Sequence, residues 1–179
     1  MHESWWSSPQ RQAWRPYVEA SLLLETRLDE DLRAAAGMGL MDYHVLLVLS
    51  ECPAHRLRMG ELATRMVFSP SRLTYQVKVL ERRGWVVRQL ASDDRRVHHA
   101  VLTATGLEAL READRHHVGT VQRLFTDDLD EQELQVLRRV FTRLQGRLHD
   151  GGSRVAREHG DDASAGGDDS RTAEQDRSG

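Results

Sequence analysis

Residues 59–103 read MGELATRMVFSPSRLTYQVKVLERRGWVVRQLASDDRRVHHAVLT, and this run limits the fold more than any other part of the chain. Glu61-Leu62-Ala63 opens a helix of about two turns, and Phe68-Ser69-Pro70 breaks it. Ser69 can cap the next helix with its hydroxyl, and Pro70 suits the first helical position, where no amide donor is needed. Beyond it, Leu73, Val77 and Leu80 recur at i, i+4 and i+7 and form one buried stripe. Ser71, Tyr75, Lys78 and Arg82 fall opposite that stripe, with Arg72, Thr74 and Gln76 on the flanks and Arg83 at the end. Gly84 stops the helix. Two β-rich runs follow, 85–90 and 97–102, joined by residues 91–96. The expected fold is mainly α with a small antiparallel β wing.

The outer face of the second helix carries hydroxyls, an amide and cations, the groups that read base edges and grip phosphates. Arg72, Thr74, Tyr75 and Gln76 are the candidates for discriminating bases, and Lys78, Arg82 and Arg83 for holding phosphate. Ser69 and Ser71 join them at the helix start. A hairpin beside such a helix can lay Arg95 or Arg96 along a minor groove. Asp94 suits a different role, ordering the loop by holding Arg96 or through backbone amides. A basic helix face alone fits an ordinary solvated surface equally well. The helix at turn distance before it and the arginine-bearing hairpin behind it favour nucleic acid.

The overall charge of −3 does not oppose this. Of 25 basic and 28 acidic residues, four and seven lie after residue 150, leaving 21 of each before it. Residues 55–99 hold ten cations against four acids, so the candidate reader is basic and the tail compensates. No apolar run of spanning or signal-peptide length occurs, which points to a cytoplasmic chain with no membrane partner. The single cysteine, Cys52, excludes an internal disulfide and reads as a small buried hydrophobe. No Gly-x-Ser-x-Gly, phosphate loop or paired catalytic carboxylates appear, so an enzyme is not expected, and no cofactor is implied.

Long helices flank the reader. Residues 10–36 carry a broad apolar face including Trp14, Tyr17, Leu24, Leu28 and Leu32, although Pro16 suggests that regular helix begins near Arg15. Gly37-Met38-Gly39 is a break, Asp42 is the expected cap of a buried helix over 43–51, and 56–58 fits a short strand beside the wing. Thr103 or Thr105 caps a helix running to about Phe125, and Asp130 with Glu133 forms a capping box for the last one. Its stripe, with Leu137, Val140, Phe141 and Leu144 at the centre, has no third layer to cover it, so these four are the expected homodimer interface. The expected organisation is an N-terminal arm over 1–9, a helical dimerisation region over 10–36 and 104–149, and a DNA-binding region over 40–103. Residues 150–179 read as a disordered acidic tail.

Four pieces, in order and spacing, resemble the MarR (multiple antibiotic resistance regulator) family of winged helix-turn-helix regulators. They are Glu61-Leu62-Ala63, Ser71-Arg72-Leu73-Thr74, Leu80-Glu81-Arg82-Arg83-Gly84, and Asp94-Arg95-Arg96 followed by Leu102-Thr103-Ala104-Thr105-Gly106. The resemblance covers roughly 10–149. It implies a dimeric transcription regulator, mostly a repressor, on a pseudo-palindromic double-stranded DNA operator. It also implies a small aromatic or phenolic effector between the DNA and dimer lobes, where Trp14, Tyr17, His44 and His117 fall on the matching helices. Trp14 and Tyr17 fit dimer-core packing equally well. The rival readings are a metal-responsive regulator, an oxidant-responsive one using Cys52, and a winged helix used for protein contact. For metal, the adjacent pairs His98-His99 and His116-His117 diverge, leaving His44, His116 and His117 as the group that folding could gather.

Overall fold

The computed structural model describes residues 8–161 except 92–96, with side chains to residue 148. The chain divides into two compact units, Met1–Asp128 and Leu129–Gly179. The first begins with α1 (Pro9–Ala36), capped by the Ser8 hydroxyl, which accepts from the Arg11 amide at 3.3 Å. Helix therefore starts before Pro16, not after it. Pro9 occupies the first turn, and Pro16 is accommodated inside the helix on an exposed side. Gly37, at φ 60°, ends α1 with its amide on the Arg33 carbonyl.

The next helix, α2 (Leu40–Ser50), starts three residues earlier than expected. Gly39 is its cap, and Asp42 sits at the third helical position, where its carboxylate accepts from the Gly39 amide at 3.3 Å. Asp42 thus closes the capping box from inside the helix. A single 3₁₀ turn, Pro53–His55, leads to β1 (Arg56–Arg58). The helix-turn-helix is α3 (Met59–Met66) and α4 (Pro70–Arg82), with Val67 in the left-handed region at the turn, φ 53°. Strands β2 (Val86–Leu90) and β3 (His98–Leu102) follow, and the sheet order is β1-β3-β2, all antiparallel. Leu57 pairs with Ala100 on one side of β3, and Arg88 pairs with Ala100 on the other.

Thr103 caps α5 (Ala104–Val121), its hydroxyl accepting from the Gly106 amide at 2.9 Å. The same threonine ties back to the start of the wing, donating its amide to the Trp85 carbonyl at 3.0 Å and its hydroxyl to Gly84 at 2.7 Å. Gly106 must be glycine here, since a Cβ would lie 2.1 Å from the Trp85 carbonyl oxygen. After Val121 one π-helical stretch, Gln122–Thr126, closes the unit. Its core joins Leu46 and Leu49 of α2, Leu62 of α3, Leu73, Val77 and Leu80 of α4, and Val86 of β2, all essentially without exposure. Each such side chain is worth about 1.5–3 kcal/mol on burial.

The second unit contains α6 (Glu131–Asp161). The Asp130–Glu133 capping box is present in both directions, at 2.8 and 2.9 Å. Helical backbone continues past residue 150, where the sequence suggested unstructured chain, and reaches Asp161. Gly151 and Gly152 cost about 1 kcal/mol each relative to alanine, while Arg154, Ala156, Arg157 and Glu158 favour helix. The 162–179 part of the acidic tail and most of the 1–9 arm lie outside the described residues.

Candidate nucleic-acid interface

The helix α4 presents two kinds of polar residue. Ser71, Arg72, Thr74, Tyr75, Lys78 and Arg82 are exposed, with Tyr75 at 67%. The Ser69 hydroxyl caps the helix at the Arg72 amide, 3.3 Å, and lies 3.2 Å from the Ser71 hydroxyl. Thr74 donates its hydroxyl to the Pro70 carbonyl at 2.8 Å, which leaves its oxygen free to accept. The Arg72 guanidinium rests 4.2 Å over the Phe68 ring, which steadies it at the helix start. Gln76 and Arg83 differ. The Gln76 amide donates to Asp42, and Arg83 donates to the Gly37 carbonyl at 2.7 Å while stacking 4.6 Å over Trp85. Gln76 is half-buried and Arg83 exposed, and what distinguishes both from the residues with which the sequence grouped them is their bond to the α1–α2 corner.

The wing supplies residues that sequence reasoning missed. Arg88 on β2 is held by Glu81 of α4, its Nε at 2.8 Å and its amide at 3.1 Å from the carboxylate. Arg58, Arg88 and His98 line a depression of about 620 Å³ with Gly60, Thr64 and Thr74, between the start of α3, the flank of α4 and the wing strands. Period-2 alternation could not have found them, because Arg88 shares the parity of buried Val86, and His98 that of buried Ala100 and Leu102, yet both are exposed. Asp94, Arg95 and Arg96 lie outside the described residues.

The four residues expected to line an effector site do not assemble. Trp14 and Tyr17 pair with each other, ring centroids 5.7 Å apart, and are exposed. His44 and His117 gather around Tyr43, whose ring lies 5.8 Å from His44 and 4.4 Å from His117. Glu25 is the α1 side chain whose charge acts on His44, and Trp14 precedes it by eleven residues, about 16 Å of helix. The Tyr43 hydroxyl donates to Asp114 at 2.6 Å, and burial, then that bond, raises its pKa well above the usual phenol value. Burial lowers the His44 pKa, reinforced by His117 and opposed by Glu25. Burial also lowers that of His117, against Asp114 and Asp31, and its Nδ1 is buried without a hydrogen-bond partner among the described residues. His116 faces Glu112 instead, at 3.8 Å. Among the described residues no group of three or more His, Cys, Asp or Glu side chains is placed to hold a metal ion. Cys52 is buried, with its thiol donating to the Val48 carbonyl at 3.1 Å.

A family model described as MarR family matches residues 36–97. The transcriptional repressor MprA of Escherichia coli strain K12 is 30% identical over 135 residues, 73% of this chain and 75% of MprA. The chain belongs to the MarR family. Two Streptomyces coelicolor MarR-family regulators of known structure share 38% identity with it. Sco3205, solved in complex with DNA, superimposes with a TM-score of 0.73 over 75% of this chain and 84% of its own. AbsC does so at 0.75, over 80% and 97%. In this MarR-family chain α4 is thus the second helix of a winged helix-turn-helix, and the protein is a DNA-binding transcription regulator. Among the described residues no single helix is long and apolar enough to cross a membrane.

Proposed function

We propose that the protein is a homodimeric repressor that reads a pseudo-palindromic operator through α4 and answers to a small aromatic or phenolic effector. The observation that carries this reading is the exposed face of Ser71, Arg72, Thr74, Tyr75, Lys78 and Arg82, set beside a wing that adds Arg88. Arg72, Thr74 and Tyr75 discriminate bases in the major groove, and Lys78 and Arg82 hold phosphate. The wing residues Arg95 and Arg96, with Asp94 ordering the loop, reach an adjacent minor groove. Pairing of two chains through Leu137, Val140, Phe141 and Leu144 places the readers about one helical turn apart, roughly 34–36 Å. The likeness to Sco3205 and to the repressor MprA supports DNA binding and repression. An effector seated near His44, Tyr43 and His117, where an imidazole nitrogen is buried without a partner among the described residues, acts by binding one reader spacing better than another. The chemistry of that site is hydrogen bonding and ring packing, with no group suited to catalysis proposed.

Selection of bound sequences from random duplex DNA tests the reading. Arg72→Ala then relaxes preference at one position per half-site, costing about 1–3 kcal/mol against the best operator. Equal weakening on all sequences would make Arg72 a backbone contact.

A further inference from the structure

The buried stripe of α4 presses the helix onto the core but leaves its rotation loosely set, because apolar contact is non-directional. Directional bonds fix rotation. Arg83 caps the end of α4 seven residues after Gln76, so the two lie two turns apart along one flank, between the buried stripe and the outer face. Both reach the same corner of the fold. Gln76 donates to Asp42 Oδ1, while Asp42 Oδ2 accepts from the Gly39 amide at 3.3 Å, and Arg83 donates to the Gly37 carbonyl at 2.7 Å. The corner is itself fixed from α1. Asp29 accepts from the Leu40 amide at 2.8 Å and from Arg33 at 2.7 Å, and Met38 is fully buried. There the chain turns by 80° between α1 and α2.

We propose that Asp42, Gln76 and Arg83 are positioning residues, which set the rotation of α4 about its axis by tying it at two points to the α1–α2 corner, and that Gln76 and Arg83 do not themselves touch DNA. The inference rests on α4 being the helix that reads bases. Its physical content is a matter of leverage: side-chain tips about 5–6 Å from the axis move by about 2 Å for a rotation of about 20°. A shift of that size breaks the paired hydrogen bonds by which a side chain distinguishes one base from another, and leaves flexible phosphate contacts largely intact.

The test uses the full chain, an operator duplex selected from a random library, and a scrambled duplex of equal length. Affinity for both is measured across a salt series, with circular dichroism and melting curves for every variant. Gln76→Glu sets two carboxylates against each other, and the ratio of operator to scrambled affinity falls by about tenfold or more. Adding Asp42→Asn exchanges donor and acceptor across the same bond and returns the ratio to near the wild-type value. If Gln76 instead lay against DNA, a carboxylate there would repel it, and the exchange could not rescue. Arg83→Gln lowers the ratio with no change in salt slope, whereas loss of a phosphate contact lowers the slope by about one unit. Wild-type discrimination without rescue by the double exchange, or a reduced slope for Arg83→Gln, overturns the inference alone. A wild-type chain that binds both duplexes equally removes the base-reading role of α4 and this inference with it.

Discussion

The helix-turn-helix and the helices that flank it differ in how fully they bury their apolar residues. In the reader, Leu62, Leu73, Val77, Leu80 and Val86 are sealed from solvent, and the exposed exceptions, Val67, Tyr75, Val87 and Leu90, lie at the turn, on the outer face of α4 and on the wing. Along the flanks, Leu22 and Leu23 of α1 are 62% and 65% exposed, and Val118, Leu124 and Phe125 are also exposed. Within α6, Leu134, Val136 and Val140 are exposed as well. Single exposed apolar residues are ordinary, but several along one helix suit a face that a partner covers. The contrast teaches that the DNA-reading module closes a core of its own, while the flanking helices keep apolar side chains in solvent, as the proposed homodimer requires.

The strongest way to break that contrast is to charge the flank. Phe141→Asp with Leu144→Asp gives monomers or aggregates by light scattering and loses operator binding by orders of magnitude. The reader keeps its fold. A wild type that is monomeric at micromolar concentration and still specific for one half-site would end the idea that the flank is incomplete.

A smaller effect tests the seam where α1, α2 and α5 meet. His44 and His117 both have pKa values below the usual 6.5, chiefly through burial. The folded state thus holds fewer protons than the unfolded chain once pH falls below about 6.5. The stability contributed by the neutral imidazoles is present above that pH and is lost as pH falls toward the folded values. Melting temperature therefore declines on acidification from about pH 7 to 5, and His44→Gln flattens the decline. A profile identical to wild type in both His44→Gln and His117→Gln would remove these groups from the pH dependence.

The smallest effect lies inside the reader. Val67 is β-branched, left-handed at φ 53° and 81% exposed, so it costs backbone strain and gains little burial. Val67→Gly raises stability by about 0.5–1 kcal/mol in thermal unfolding, with the chain entropy of glycine offsetting part of the relief. A destabilised variant would show that Val67 packs in a way its exposure conceals.

Most of this architecture was legible because local signals agreed with one another. Ser69-Pro70 and Thr103 announced helix starts, Gly84 announced a stop, and the Leu73-Val77-Leu80 stripe fixed which face of α4 is buried. What the sequence could not show was partners remote along the chain. A helical wheel gives the flank position of Gln76 but not its bond to Asp42, 34 residues earlier. The bond from Arg83 to Gly37, spanning 46 residues, is equally invisible to it. Asp42 was mistaken for the cap itself because the break at residues 37–39 is shorter than its glycines suggested, so helix resumes at Leu40. Trp14 and Tyr17 lie on α1, one of the helices expected to line an effector site, but well before Glu25, the α1 residue whose charge acts on His44.

The glycine at 106 has one more consequence. With a backbone carbonyl occupying the space of a missing side chain, the base of the wing and the root of α5 are pressed into a single stiff joint, pinned further by Thr103. From that joint to Val121 is fifteen residues, about 22 Å of helix. A tilt of only about 10° at the joint would carry the far end sideways by about 4 Å, about three-quarters of the rise of one helical turn. The helix is a pointer, and its tip converts a slight angular error of the reader into a displacement large enough for a neighbouring surface to refuse.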